Sequence, residues 1–281
     1  MRLPFRGVVV REAMLVRGPR GWGEFAPFAE YGDAESAWWL ASAIEAAYAG
    51  WPGPLRSRVP VNATVPAVDP SQVPGVLARF DGCRTVKVKV AQRGQSLADD
   101  VARVAAVRAA SPAGTRLRID ANGAWSVLEA VRAIGELSAY GLEYAEQPCA
   151  SVEELRDLRI ALVRHGIAVP IAADESIRKA ADPHRVVALE AADLIVVKVA
   201  PLGGVRRALA VVADCGLPAV VSSALDTSVG IAAGLALAGA LPVLEHDCGL
   251  GTVELLESDV VVDSLVPQEG SIRVIRSAGG G

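Results

Sequence analysis

Cysteine and histidine are scarce in this sequence. Its 281 residues include four cysteines and three histidines, and no two cysteines form a Cys-x-x-Cys pair. The cysteines are far apart and stand beside apolar segments, which favours reduced core thiols over the open alternatives, disulfides or metal ligands. The histidines have no metal-ligand spacing, and we expect them to be structural or solvent-facing. These residues are Cys83, Cys149, Cys215, Cys248, His165, His184 and His246.

The chain also lacks an excess of positive charge. Lysine and arginine number 28 against 32 aspartates and glutamates, which gives a formal net charge of −4. Proteins that bind nucleic acid usually present a basic surface to the phosphates. Nucleic acid is therefore not an expected partner.

No apolar run is long enough to predict a membrane span. The longest, residues 229–244, is shorter than the roughly 20 residues that a span needs. It also contains three glycines and a proline, so a buried crossover helix is the favoured interpretation. The early apolar run at residues 7–10 is interrupted at once by Arg11 and Glu12, unlike a secretory signal. We therefore expect a cytoplasmic protein with no membrane partner.

From about residue 60 onward, runs rich in β-branched residues alternate with segments rich in Ala, Leu, Arg and Glu. The period, roughly 25 to 30 residues, is typical of a strand followed by a crossover helix. Eight strands close a barrel, and such a barrel takes about 250 residues. The predicted fold class is α/β, a modified TIM-type (β/α) barrel. The predicted strands are residues 61–65, 85–90, 116–122, 144–147, 171–175, 194–199, 219–223 and 243–246. The predicted helices are residues 97–110, 126–140, 152–165, 182–190, 205–215 and 228–240.

The first 58 residues follow a different pattern, which predicts a small α+β capping domain. Residues 5–17 alternate as a strand or hairpin, residues 21–27 predict a glycine-punctuated turn into a loop, and residues 34–49 predict a helix. The tail has hairpin chemistry, with apolar runs at 260–262 and 272–275, and we expect it to pack back onto the cap. The predicted domains are the cap, residues 1–58 with 255–281, and the barrel, residues 59–254.

Charged residues end five of the predicted barrel strands. Lysines end the first and last of these five strands, and acids end the three between them. Consecutive parallel strand ends form a ring around one mouth of a barrel, so neighbouring acids can converge on a cation while the lysines face each other across it. The residues concerned are Lys87, Lys89, Asp120, Glu146, Asp174 and Lys198.

Each of these residues has a simpler interpretation in isolation. A Lys-x-Lys pair is typical of an exposed edge strand, and Asp120 before Asn-Gly suits a turn. Glu146 fits a loop carboxylate, and Asp174 fits a helix cap. Their joint occurrence in this order favours a site, because charges without a function are costly to keep in a core.

These motifs together resemble those of the enolase superfamily. The resemblance rests on Lys-x-Lys, Asp-Ala-Asn-Gly-Ala-Trp, Glu-Gln-Pro, Ala-Asp-Glu-Ser and the lysine of the sixth strand. It extends to the Gly-Trp-Gly-Glu-Phe-Ala-Pro segment of the cap, which resembles the mobile segment that closes over the active site in that superfamily. Lysines on both sides of the acids are similar to those of the muconate lactonising subgroup.

The resemblance implies a role for each strand-end residue. Asp120, Glu146 and Asp174 would hold Mg²⁺, with Mn²⁺ as an alternative, and the cation would neutralise an enediolate formed from a small-molecule carboxylate substrate. Lys89 would be the base, and Lys198 would be a fixed cation or, in a racemase, the opposed acid and base.

Polar residues near these strand ends are candidates for contacting the substrate. Lys87 would help hold the carboxylate, and its like charge would favour a neutral Lys89. Arg118 either forms an ion pair beneath the metal or reaches the substrate. One of two adjacent serines should face the mouth, and the turn at Gly203 either offers backbone N–H groups to an anion or is only a tight turn. The candidates are Lys87, Arg118, Asn122, Gly203, Ser222 and Ser223.

Within the subgroup, we favour a carbon–oxygen lyase. Three features resemble the branch that performs a magnesium-dependent syn elimination of water from 2-succinyl-6-hydroxycyclohexadiene carboxylate in menaquinone biosynthesis. They are the Arg-Ile-Asp-Ala-Asn sequence of the third predicted strand, the short cap, and the Cys-Gly-Leu-Gly-Thr segment after the eighth strand. Dipeptide epimerases usually carry Asp-x-Asp at the eighth strand, whereas this chain has Leu-Glu-His-Asp at residues 244–247. An N-acylamino acid racemase or related epimerase with the same lysines is an alternative, and so is a ligand-binding barrel without turnover. The oligomeric state stays open.

Overall fold

The N-terminal part of the chain folds into a hairpin covered by a helix. The structure is a computed structural model that describes residues 1–5, 7–177 and 182–275. At Gly23 the helix lies so close that a Cβ would meet the Ala43 carbonyl oxygen at 2.0 Å. The prediction of a turn and loop at residues 21–27 was therefore wrong, because these glycines let a strand pack against a helix. The elements are β1 (Met14–Gly18), β2 (Gly21–Phe25), α1 (Asp33–Ile44) and a π-helical turn, Glu45–Ala49.

In the described part of the chain, seven parallel strands form one sheet whose order follows the sequence from β4 to β10. Their apolar side chains are buried on both faces, as expected for a sheet covered by crossover helices. A further strand, β3 (Arg58–Pro60), lies outside this sheet. The seven strands are β4 (Ala63–Val65), β5 (Thr85–Lys89), β6 (Arg116–Asp120), β7 (Leu142–Glu146), β8 (Ile171–Ala173), β9 (Leu194–Lys198) and β10 (Ala219–Ser222).

The predicted eighth strand at residues 243–246 does not form. Val243 is 67% exposed, and the gap between the first and last strands is closed a few residues later by Cys248 and Gly249. Cys248 pairs in parallel with Val61, and Gly249 pairs with Ser222. Two residues thus close the barrel where a full strand was predicted. The strand prediction was wrong because a short apolar pair such as Val243 and Leu244 occurs in exposed loops as well as in strands.

The helices lie where the periodicity predicted them, with ends shifted by a few residues. Two of the helices begin with capping boxes, which Ser126 forms with Glu129 and Ser151 forms with Glu154. The short helices α2 and α7 had not been predicted. The helices are α2 (Val73–Leu77), α3 (Leu97–Ala110), α4 (Val127–Leu137), α5 (Val152–Arg164), α6 (Asp182–Ala188), α7 (Val199–Leu202), α8 (Val205–Cys215) and α9 (Ser228–Ala240). Among the described residues, no helix has the length and apolar character that a membrane crossing requires.

The C-terminal tail contributes one strand and not a hairpin. Strand β11 (Ser271–Arg273) pairs antiparallel with β3, whereas Val262 is 99% exposed and lies outside any strand. The tail therefore returns to the junction between cap and barrel. Residues 276–281 of the predicted tail lie outside the described residues, and the division into two domains stays a prediction.

Candidate active site

The register of the parallel strands brings three of the predicted site residues side by side. Lys89 on β5 pairs with Asp120 on β6, and Asp120 pairs with Glu146 on β7. Each of these residues is the last of its strand, so its side chain points into the mouth of the barrel. All three are buried. The alternation of period two also brings Lys87 to the same interior face.

Lysines and carboxylates form a continuous set of ion pairs inside the mouth. Lys87 Nζ lies 2.9 Å from Glu146 Oε1 and 3.2 Å from Asp120 Oδ2. Lys89 donates to Asp120 and also to Asn122 Oδ1 at 2.9 Å. These lysine side chains are no more than 9% exposed. Such pairs are strongly coupled, because removing one partner leaves an uncompensated buried charge.

Asp174 directly follows β8 and is held by Gln147, which was not among the predicted site residues. Its backbone N–H donates to Gln147 Oε1 at 2.9 Å, and Gln147 Nε2 donates to Ser176 Oγ at 3.0 Å. Gln147 thereby joins the segments that follow β7 and β8. Lys198 Nζ, from β9, lies 2.6 Å from Asp174 Oδ2. The Glu-Gln-Pro motif was the signal that could have identified Gln147.

The buried charges shift one another's protonation equilibria. Burial by itself lowers the pKa of Lys87, but Glu146 and Asp120 outweigh it, so this pKa lies above its usual value. Burial raises the pKa of Asp120, yet Lys89 and Lys87 hold it well below its usual range. The pKa of Glu146 is raised, first by burial and then by Asp120. Lys89 lies against the Asp120 carboxylate, and the effect of Lys87 on the protonation of Lys89 stays a prediction.

The donor set suits a hard divalent cation, although the present contacts are with lysines. Asp120, Glu146 and Asp174 offer only oxygen ligands, which Mg²⁺ prefers, and a cation would favour the charged form of Glu146. In the portion of the chain that the structure describes, no three His, Cys, Asp or Glu side chains are grouped as a ready metal site. A cation bound here would compete with the ammonium groups for these carboxylates.

The mouth opens into a cavity of about 700 Å³, including its open side. Lys87, Lys89, Asp120 and Lys198 form its charged floor, so lysines from β5 and β9 face one space. The walls are formed by Phe5, Val8, Phe28, Glu30, Thr64, Ser222, Ser223, Ala224, Leu225, Gly249 and Thr252.

Two aromatic residues of the cap were missed as site residues. The Phe5 ring centroid lies 5.0 Å from Lys89 Nζ, a cation–π contact. Phe28 also forms part of the wall, and the Arg11 guanidinium lies 4.5 Å from its ring centroid. No sequence pattern connects Phe5 or Phe28 to a strand end, because both reach the cavity from the cap.

Arg118 lies beneath the cavity and not in its wall. Its guanidinium donates to Glu143 Oε2 at 2.6 Å and to the Asp247 carbonyl at 2.7 Å, and it stacks over the Tyr144 ring. The ion pair was one of the two interpretations of this residue, and the structure favours it over substrate contact. Arg118 is completely buried.

The turn at Gly203 is also remote from the cavity. The Gly203 N–H donates to the Ala200 carbonyl, and the first amides of α8 donate instead to the Glu45 carboxylate of the cap. An anion does occupy this helix start, but it is the chain's own side chain. The tight-turn interpretation therefore fits Gly203, and substrate contact does not.

The other three candidates border the space around the lysines. Ser222 and Ser223 both line the cavity, and Ser223 Oγ lies 2.6 Å from Thr252 Oγ1. Asn122 has a φ of +49° and holds Lys89 through its side-chain oxygen. It lies next to Lys89 and outside the main cavity wall.

Two family models match the chain in sequence. The model described as enolase C-terminal domain-like matches residues 76–281, and the one described as enolase N-terminal domain-like matches residues 1–47. Together they include every residue of the predicted site and most of the cap. The resemblance stated from the motifs is confirmed.

Relatives of known name are similar over nearly the whole chain. The chain is 59% identical over 276 residues to the o-succinylbenzoate synthase of Thermobifida fusca, which covers 98% of this chain and 85% of that protein. It is 60% identical over 275 residues to the o-succinylbenzoate synthase of Mycolicibacterium smegmatis, covering 98% and 83%. The crystal structure of the muconate lactonizing enzyme from Pseudomonas fluorescens has a TM-score of 0.79 at 22% identity and covers 94% of this chain and 86% of that one. This likeness confirms the predicted capped barrel fold.

Proposed function

The chain belongs to the enolase superfamily, and we propose that it is an o-succinylbenzoate synthase, a carbon–oxygen lyase. Its substrate would be 2-succinyl-6-hydroxycyclohexadiene carboxylate, and its product an aromatic dicarboxylate. The relatives at 59% and 60% identity carry this name. The observation that carries the proposal is that lysines of β5 and β9 face one cavity, with carboxylates on the strand ends between them.

We assign the base to Lys89. Its amine, once free of the proton, removes the proton on the carbon next to the substrate carboxylate, which leaves an enediolate. Lys89, now an ammonium group, returns this proton to the departing hydroxide as the carbon–oxygen bond breaks, so that water leaves and the ring becomes aromatic. One group serves as base and then as acid because a syn elimination places both on one face of the ring.

We assign to Lys198 the role of a fixed cation on the other side of the ring. Its Nζ is held by Asp174, and a preorganised charge aimed at the developing enediolate lowers the barrier without reorganisation during the reaction. Lys87, Ser222 and Ser223 would orient the carboxylate groups of the substrate, since they lie in the floor and wall of the same cavity.

We infer that Asp120, Glu146 and Asp174 hold Mg²⁺ when it is bound, with Mn²⁺ as a substitute. A divalent cation supplies Lewis-acid stabilisation of the negative charge that develops on the substrate carboxylate. A cation on these oxygens would compete with Lys89 for the Asp120 carboxylate. The metal site and the base are therefore linked through Asp120.

The opposed lysines would also support racemisation of an N-acylamino acid. The deciding experiment offers the cyclohexadiene carboxylate and N-acylamino acids in parallel, with and without Mg²⁺. We expect metal-dependent formation of the aromatic product, with slow or absent racemisation. Faster racemisation than dehydration would favour the racemase, and the absence of α-proton exchange with either substrate would favour a barrel that binds without turnover.

A further inference from the structure

Two acidic residues of the cap each bind the start of a barrel helix. The Glu24 carboxylate on β2 accepts hydrogen bonds from the Thr227 hydroxyl, the Thr227 N–H and, at 3.2 Å, the Gly230 N–H at the start of α9. The Glu45 carboxylate accepts from the Val205 N–H at 2.5 Å and from the Arg206 N–H at the start of α8. Free amides at a helix start favour a carboxylate, so both contacts hold the cap on the barrel.

The two contacts differ in what lies next to them. Residues 222–225, just before α9, form one wall of the substrate cavity, whereas the start of α8 contributes nothing to that wall. Glu24 is 7% exposed and lies at the base of this wall segment. A change at Glu24 should therefore reach the cavity, and a change at Glu45 should not.

The wall segment contains a residue in a strained backbone conformation. Leu225 has a φ of +60°, which branched and bulky side chains rarely adopt, and such a residue persists when the surrounding structure over-determines it. On its N-terminal side, the Ala224 N–H donates to Asp226 Oδ2 at 3.1 Å. On its C-terminal side, Thr227 is held by Glu24. Leu225 is thus fixed from both directions with its side chain in the cavity wall.

Glu24 and Asp226 both lie close to Gly230 in the first turn of α9. A Cβ added to Gly230 would lie 2.7 Å from Asp226 Cβ and 3.0 Å from Glu24 Oε1. Glu24 and Asp226 are therefore in close contact with the first turn of α9, which has a glycine where a side chain would push both away.

We propose that Glu24 is a positioning residue for the substrate cavity, which holds residues 223–227 with Leu225 in its strained conformation and so fixes the wall that contacts the substrate. The inference deepens the proposed function and rests on it for the identity of the substrate. Because Leu225 and Ala224 line the cavity and carry no group that reacts, their displacement should weaken binding more than it slows the chemical step.

The test compares Glu24→Ala with Glu45→Ala in the Mg²⁺-loaded full chain. We expect Glu24→Ala to raise the KM for the cyclohexadiene carboxylate about tenfold and to lower kcat less than about threefold. Glu45→Ala should lower the melting temperature and leave KM unchanged, since a loss of folded enzyme lowers only the apparent kcat. Glu24→Gln keeps one acceptor oxygen, so its KM should be close to that of the wild type. An unchanged KM in Glu24→Ala would overturn the proposal.

A second measurement is independent of turnover. Amide hydrogen exchange of the peptide spanning residues 223–230 should accelerate in Glu24→Ala and not in Glu45→Ala, because the contacts that hold this segment are then lost. If the wild-type protein does not convert the cyclohexadiene carboxylate, the proposed function fails, and the exchange comparison still decides whether Glu24 holds the segment. Equal exchange in both variants would refute that role.

Discussion

The ammonium group of Lys89 lies 5.0 Å from the centre of the Phe5 ring, so the proposed base is bounded by an aromatic face as well as by Asp120. A ring over a desolvated ammonium group contributes up to about 2 kcal/mol. We expect Phe5→Leu to lower kcat/KM by about tenfold, measured by steady-state kinetics. Trp22→Leu is the matched control, because Trp22 makes a similar contact with Arg17 and is half-exposed outside the cavity wall. Equal effects of the two changes would contradict a role at the site.

Replacing the proposed base should separate catalysis from metal binding. We expect Lys89→Ala to abolish formation of the aromatic product, a loss of about a thousandfold or more. The same variant should bind Mg²⁺ at least as tightly as the wild type in calorimetry, because an ammonium group that competes for Asp120 is gone. Retained turnover would refute the assignment of the base.

Replacing a proposed metal ligand, in contrast, should weaken metal binding first. We expect Asp174→Asn to weaken Mg²⁺ affinity first, and to destabilise the metal-free protein by about 3 kcal/mol because the buried ammonium group of Lys198 loses its charged partner. Titration with Mg²⁺, followed by chemical denaturation, checks both. Asp157→Asn is the control, since the pair that Asp157 forms with Arg156 is exposed and contributes little. Unchanged Mg²⁺ affinity in Asp174→Asn would remove this residue from the metal site.

The charged strand ends could be predicted because parallel strands have a simple geometry. Once Lys87 and Lys89 are placed on one strand, the alternation of side chains fixes which face they share, and the order of strands places Asp120 next to them. The structure agrees with that placement. These inferences need only local sequence and chain order.

The parts that could not be predicted depend on contacts between distant segments. Phe5 reaches Lys89 from the cap, 84 positions away in the sequence, and nothing in its neighbourhood indicates that contact. Cys248 and Gly249 close the barrel with two residues, too few to produce a strand pattern. Arg118 was expected on the inner face, but its partners Glu143 and Asp247 became evident only when the strands were packed together.

The buried position of Arg118 predicts a structural effect without a catalytic one. Replacing Arg118 by methionine removes its hydrogen bonds to Glu143, Asn62 and the Asp247 carbonyl. We expect a loss of about 3 to 5 kcal/mol in the free energy of unfolding, measured by denaturant titration, with KM unchanged. Arg132→Met, at an exposed pair with Glu136, should lose less than about 0.5 kcal/mol. A raised KM with unchanged stability would show instead that Arg118 contacts the substrate.

The pH dependence of stability should report on Glu24. Burial, and then the nearby Asp226, raise the pKa of Glu24 from 4.5 to about 7. Between these values the unfolded chain loses its proton while the folded chain keeps it, so stability falls as the pH rises through this window, by about 3 kcal/mol from this group.

Arg11, Glu30 and Asp226 face the same region, so the wild type is best compared with Glu24→Gln, which cannot ionise there. Denaturant titrations from pH 4.5 to pH 7 should show that the wild type loses more stability than the variant as the pH increases. If the stabilities of the wild type and Glu24→Gln change in parallel with pH, Glu24 is already ionised at pH 4.5. Its carboxylate would then be charged in its contact with α9 over the whole range.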